Sequence, residues 1–439
     1  MRVLSWVLRQ FSTPADGRVL GLFRLCFGVL MVMDVLAYYQ LGFIERGLLA
    51  PRLLFRYEGF EWLPLFPPAI LHILLALKLV AAAAIALGVR IRISGLVFAL
   101  IQMYFLLLEK SYFNNHIYLY ALIAFILSFT HADRFFSIRV ARGQGAWLPG
   151  WQVWHLRLLI VTAYFFTGII KFKADWLLRQ EPIRSMCYNL PVSHPLHGLI
   201  DNEPAVMLLT YAGFLIDILA PLWLLHKGFR RYMIWVFAAF HTTNSFLFDD
   251  IGVFPFVMLA TLLLFYDAQE LPFFKKTPAP PTPALAPPSR RLLHFSAIWF
   301  GFHMLFPFRF LLLPNPADYT TIGNRFAWRV KADNRILEEF SISVTDMRGQ
   351  VYPVRVNTYV NDMQMLHLYH DPRSLAAFAR FMKKEVAGPP YHISNAQIKA
   401  RIRFRYNGRP AQYFVDPDAD LATVPVSSFR KLKWVNDYE

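Results

Sequence analysis

Long apolar runs recur along this chain, and they restrict its possible folds more than any other feature. About nine of them lie near residues 19–41, 69–88, 93–108, 115–131, 153–171, 205–225, 232–248, 252–267 and 292–313. A helix needs roughly 20 apolar residues to cross a bilayer. The third, fourth, seventh and eighth runs are short, which leaves room for re-entrant pairs. Composition agrees: 56% of 439 residues are hydrophobic and 17% charged, against about 25% charged in a soluble domain. One globular core cannot absorb that excess, so a soluble enzyme is all but excluded. The expected class is an all-α polytopic membrane bundle with a small α+β domain outside the membrane.

The formal net charge of +16 would suit nucleic acid in a soluble protein. In a membrane chain it more often marks cytoplasmic loops. With the N-terminus inside and the runs alternating, the inside loops carry 15 Lys/Arg and the outside loops 7. That excess predicts a cytoplasmic N-terminus and, for an odd number of spans, a C-terminus on the opposite side. The first 18 residues carry Arg2, Arg9 and Arg18 without a compact apolar stretch and cleavage site. The first helix therefore reads as a retained signal anchor. Cys26 in an apolar run and Cys187 in a loop offer no disulfide framework, and no metal site is readable.

Two regions are expected, 1–313 in the membrane and 314–439 outside it. The stretch 277–289, TPAPPTPALAPPS, reads as an extended linker. After 314 the pattern changes to period two. Ile398, Ala400, Ile402, Phe404 and Tyr406 alternate with Lys399, Arg401, Arg403 and Arg405, which predicts a strand. Asn407-Gly408 then predicts a hairpin turn into Tyr413–Val415. Asp371-Pro372 predicts the start of a helix through about 386, with Leu375, Phe378, Ala379 and Met382 on one face.

Polar groups inside or at the ends of spans are costly and usually functional. Glu109, Asn114, Asn115, His116, Lys171, His241, Asn244, Asp249 and Asp250 all fall at the outer level of the topology above. They predict one site beneath the outer domain. Lys171 in TGIIKFKADWL has two readings: a lysine snorkelling from a helix end, or a desolvated amine acting as a base near neutral pH. His116 reads as a helix-start or core hydrogen-bond partner or as a catalyst, with Asn114 or Asn115 as a cap. His241 reads as bonded between helices to Thr242 or Asn244.

Five segments carry a resemblance. FNNHIYLYALIAFILSFTHADRFFS (113–137), AYFFTGIIKFKADWL (163–177), FHTTNSFLFDDIGVFPFVMLA (240–260), GNRFAWRV (323–330) and RFRYNGRPAQYFVDPDADL (403–421) occur in this order. Together they resemble the vitamin K-dependent gamma-glutamyl carboxylase family, whose membrane part is the HTTM domain, in a short bacterial-type form. The resemblance implies a carbon–carbon lyase. In that family a lysine deprotonates reduced vitamin K, oxygen adds, and the strong base so formed removes a γ-proton from a peptide glutamate. Carbon dioxide is taken up and the 2,3-epoxide leaves, with no metal and no nucleic acid involved. The implied cofactor is menaquinol or a related naphthohydroquinone, and the implied partners are the bilayer and a glutamate-containing protein or peptide.

Residue by residue, the resemblance implies Lys171 as the base in the frame G-x-x-K-x-x-A-D-W, and His116 as an orienting or oxyanion-binding catalyst. It implies Asn115 beside His116, and we add Asn114, His241 and Asn244 as expected cofactor contacts. Phe326, Ala327, Trp328 and Arg329 open the segment that meets glutamate, while Arg409 and Asp416 match polar positions of the late hairpin. The sequence differs from the animal enzymes at Phe113, where they have Trp, at Ile170, where they have a second Lys, and at Glu109, where they have Asp. The expected location is a bacterial inner membrane. Two other readings stay open: a quinol epoxidase without carboxylation, and a non-catalytic quinone- or lipid-binding protein.

Overall fold

The computed structural model describes residues 2–138, 147–247, 251–271, 274, 288–331 and 333–438. A short helix, Arg2–Ser12, leads into the bundle. The bundle helices are α1 (Gly17–Gln40), α2 (Pro68–Leu87), α3 (Ile91–Leu108), α4 (Asn115–Ser128), α5 (Trp151–Ile169), α6 (Glu203–Leu225), α7 (Lys227–Leu247), α8 (Phe254–Leu262) and α9 (Arg290–Leu305). Each begins within a few residues of an apolar run.

Among the described residues, five helical stretches are long and apolar enough to cross a membrane: α1, α2, α3, α6 and Arg290–Leu312. The other four differ for visible reasons. α4 has 14 residues and α8 has 9, while α5 and α7 are longer but interrupted by charged and polar side chains. Large apolar side chains such as Ile73, Val80, Leu100, Leu208 and Ile298 face outward. In water such a surface would be a liability, and in lipid it is the contact surface.

Caps and close approaches set the helix ends. The Asp16 side chain accepts from Arg18 N at 2.9 Å to start α1. Gly88, at φ 68°, ends α2 in the left-handed conformation that costs glycine least. Asn202 caps α6 by accepting from Ala205 N at 3.0 Å.

The C-terminal part is a four-stranded antiparallel sheet of β1 (Arg335–Thr345), β2 (Val351–Pro353), β3 (Gln397–Tyr406) and β4 (Gln412–Tyr413), in the order β2-β1-β3-β4. Phe340 pairs with Ile402 and Ile342 with Ala400 across β1 and β3. Ile398, Ala400, Ile402, Phe404 and Tyr406 are buried in alternation, as the period-two pattern predicts. The Asn407-Gly408 turn follows, with both residues at positive φ. Helices α10 (Asp362–Leu368) and α11 (Pro372–Ala387) cover one face. Asp371 caps α11, accepting from Arg373 N at 3.0 Å, and the stripe Leu375, Phe378, Ala379 and Met382 is buried.

Two hydrophobic cores result, and each borrows from the other region. Phe55, from the loop after α1, lies in the C-terminal core. Trp328, from the C-terminal part, lies in the bundle core. Cys187 sits buried in a six-residue helix, Ile183–Tyr188, and not in a loop. Most of the Pro-rich stretch, 277–287, lies outside the described residues, as do Asp249 and Asp250.

Candidate active site

Helices α5 and α6 touch backbone to backbone. A Cβ on Gly168 would fall 2.6 Å from Ile218 N, so only glycine permits this approach. Lys171 follows one turn after Gly168, just beyond the end of α5, and Asp217 sits one residue before Ile218 on α6. The close approach therefore brings their side chains together. Lys171 Nζ lies 2.5 Å from Asp217 Oδ2 and donates to Gly213 O at 3.4 Å. The Trp176 ring centroid is 4.6 Å from Nζ, and the Trp176 indole is held by donating to Thr210 O at 3.1 Å. Lys171 is 6% exposed and Asp217 2%. This amine does not snorkel. It is buried beside a carboxylate, and Lys173 reaches a different acid, Asp318, at 3.0 Å.

Lys171 and Asp217 line a cavity of about 760 Å³ between the bundle and the C-terminal part. Asn114, Asn115, His116, His241, Asn244, Trp328 and Arg329 line it too. These side chains come from α4, α5, α6, α7 and the 321–331 segment, so Asn114, Asn115, His116, Lys171, His241 and Asn244 of the expected set share one cavity. His116 stacks on Phe254 with centroids 5.3 Å apart and 26° between planes. Asn114 occupies the cap position of α4 without a side-chain capping bond. Asn115 instead donates Nδ2 to Arg329 O at 2.9 Å. His241 Nε2 meets the Tyr164 hydroxyl at 2.5 Å, so its interhelical partner is Tyr164 and not Thr242 or Asn244.

The 326–331 segment is strained. Phe326, Trp328 and Lys331 have φ of 60°, 56° and 50°, a region aromatic residues rarely enter. Tertiary bonds hold it there. Thr167 Oγ1 donates to Trp328 O at 3.2 Å, and the bond from Asn115 fixes the next carbonyl. Arg329 bonds Asp318 Oδ1 at 2.8 and 2.6 Å.

Other expected residues lie elsewhere. Phe326 packs against Phe113, Tyr118 and Tyr57 at 4.8, 5.0 and 5.6 Å behind the cavity wall. Ala327 is buried. Arg409 is drawn away by Asp175, which it holds with two bonds of 2.7 and 3.0 Å. Asp416 closes a local turn by accepting from Asp418 N. Glu109 is buried away from the cavity. It accepts from Phe55 N, Ser111 N and Gln364 Nε2 at 2.8, 2.9 and 2.8 Å, joining α3 to the outer part.

Sequence reasoning missed Asp217 and Asp318. Asp217 did carry a signal, an acid in the middle of the apolar run 205–225. Asp318 carried none.

Residues 12–269 match the family model of the HTTM domain, and residues 289–439 match that of the vitamin K-dependent gamma-carboxylase lumenal domain. The chain belongs to the vitamin K-dependent gamma-carboxylase family. No solved structure matches it. Residues 270–288 separate the two matches, and the cavity of this carboxylase-family chain takes residues from both.

Proposed function

We propose that this chain is an integral membrane carboxylase that couples oxygenation of reduced vitamin K to carboxylation of a peptide glutamate. One observation carries the reading: Lys171, buried against Asp217, shares a cavity with His116, Asn115 and the strained Trp328-Arg329 segment. The cavity suits a flat naphthohydroquinone such as menaquinol. Its walls are largely apolar and aromatic, and Asn115 Oδ1 and His241 Nδ1 are buried there with no hydrogen-bond partner among the described residues. Two such atoms match a molecule with two hydroxyl groups.

When bound, the hydroquinone supplies, with molecular oxygen, the strong base needed to remove a γ-proton before carbon dioxide adds. The chain's own residues prepare that chemistry. Lys171 takes a hydroxyl proton at Nζ. His116, fixed against Phe254, orients the ring, with Asn114, Asn115, His241 and Asn244 around it. Trp328 and Arg329, tied to α4 and α5, place the peptide glutamate at the outer end. The apolar walls exclude water that would quench a strong base.

The same proposal includes nine spans, a cytoplasmic N-terminus, region 314–439 outside, and a bacterial inner membrane. Loop charge supports it. A reporter fused at Glu439 tests it, and a cytoplasmic signal there rejects the odd span count.

The activity test is reconstitution with reduced vitamin K, labelled bicarbonate and a glutamyl peptide. Epoxide together with fixed label is expected. Epoxide without label would reject carboxylation and leave an epoxidase; neither product from folded protein would leave a binding protein.

A further inference from the structure

We infer that the base is the pair Lys171–Asp217, with Asp217 as the final proton acceptor; this rests on the proposed function and deepens it. Lys171 Nζ has one carboxylate within bonding distance, Asp217 Oδ2 at 2.5 Å, and one carbonyl, Gly213 O at 3.4 Å. An ammonium has three donors and no lone pair. Two donors are engaged on α6, and Lys171 also lines the cavity. A lysine so placed beside a carboxylate has no acceptor orbital until one of its protons moves.

The geometry supplies that movement in two steps. The N–H facing Asp217 breaks and an O–H forms at Oδ2, leaving a neutral amine whose lone pair turns to the cavity by rotation about the Cε–Nζ bond. The hydroxyl O–H of the bound hydroquinone then breaks and a new N–H forms at Lys171. One proton has passed from the cavity to Asp217, and the amine is again an ammonium. The positive charge therefore sits beside the oxygen that has just become negative, in a site with little water, where such stabilisation is strongest. The face of Trp176, 4.6 Å away, suits a cation better than a neutral amine.

Asp217 acts through Lys171, so its test needs a readout that packing alone would not move. Among the described residues, the titratable and charged groups that line the cavity with the pair are Tyr164 on α5, Cys187, His241 on α7, His116 on α4, and Arg325, Arg329, Lys331 and His367 of the C-terminal part. None of these is a carboxylic acid, so a carboxyl band that Asp217→Asn removes is Asp217's.

Reduced vitamin K is added without oxygen to the purified full-length protein in lipid nanodiscs. Infrared difference spectra are recorded, and binding is followed separately by tryptophan fluorescence. The expected result is a protonated-carboxyl band in the unmodified protein that is lost in Asp217→Asn and shifted in Asp217→Glu. Under oxygen, Asp217→Asn should lower epoxide formation at least ~10²-fold and change its pH profile, with KM little altered. Asp217→Glu should recover part of the rate. A band that survives in Asp217→Asn, no band despite measured binding, or an unchanged pH profile overturns the inference. Absence of both binding and epoxide in the unmodified protein would instead reject the proposed function itself.

Discussion

Arg409 of the outer hairpin grips both carboxylate oxygens of Asp175, just after the Lys171 turn, at 2.7 and 3.0 Å. Asn407 adds a third bond to the same carboxylate at 2.8 Å. Gly408 lies between them at φ 71°, where a Cβ would meet Glu181 Oε1 at 2.7 Å. The hairpin thus clamps the segment that carries Lys171 and Trp176.

Burial pushes the Asp175 carboxyl up, but bonds from Arg409 and Asn407 outweigh it and hold it below the usual carboxylate range. A depressed folded value stabilises the protein above the unfolded value of about 3.9, and that stability is lost as pH falls through the folded value. Thermal unfolding should show this loss setting in below about pH 5 and continuing beneath the unfolded value, so it is followed down to about pH 2. Asp175→Asn should be less stable at pH 7, by about 3–5 kcal/mol, because it leaves Arg409 without its partner. Its stability should also fall less steeply with acid.

Lys171→Ala should abolish epoxide formation and also lower stability, because it strands the Asp217 carboxylate in an apolar interior. Removing one partner of a buried pair costs about 3–5 kcal/mol. The double variant Lys171→Met with Asp217→Leu should regain most of the melting temperature and none of the activity. Epoxide formation by Lys171→Ala would remove Lys171 from the mechanism.

Gly168→Val places a branched side chain where Ile218 N now sits. Overpacking of this kind costs about 1–3 kcal/mol. The expected outcome is a modest drop in melting temperature with a disproportionate loss of epoxide formation, since separating α5 from α6 parts Lys171 from Asp217. Equal losses would show that Gly168 serves packing alone.

Glu109→Ala strands three donors, Phe55 N, Ser111 N and Gln364 Nε2. Each stranded buried group costs about 1–3 kcal/mol, so this variant should be strongly destabilised. Because Glu109 does not line the cavity, KM for reduced vitamin K in the folded fraction should hold. A raised KM with normal stability would place Glu109 in the site after all.

Much of this protein was legible before any coordinate. Apolar runs place the bundle helices α1 to α9, five of which fall in stretches long and apolar enough to cross a membrane, because backbone polar groups in lipid must bond within their own segment. Alternation places β3, Asp371-Pro372 starts α11, and Asn407-Gly408 turns the hairpin, because each depends on neighbours a few residues away. That Asn115, His116, Lys171 and His241 fall near one another also follows from span order, and they share one cavity. Their partners did not follow. Asp217 reaches Lys171 only because Gly168 lets two helices touch, and Arg409 faces Asp175 because the hairpin lands on the bundle at that spot. Glu109 was expected beside them yet turns to Phe55 and Gln364. Position along a helix is set by the sequence's local pattern, but the direction in which a side chain points is set by helix rotation and packing, and these exist only in the folded chain.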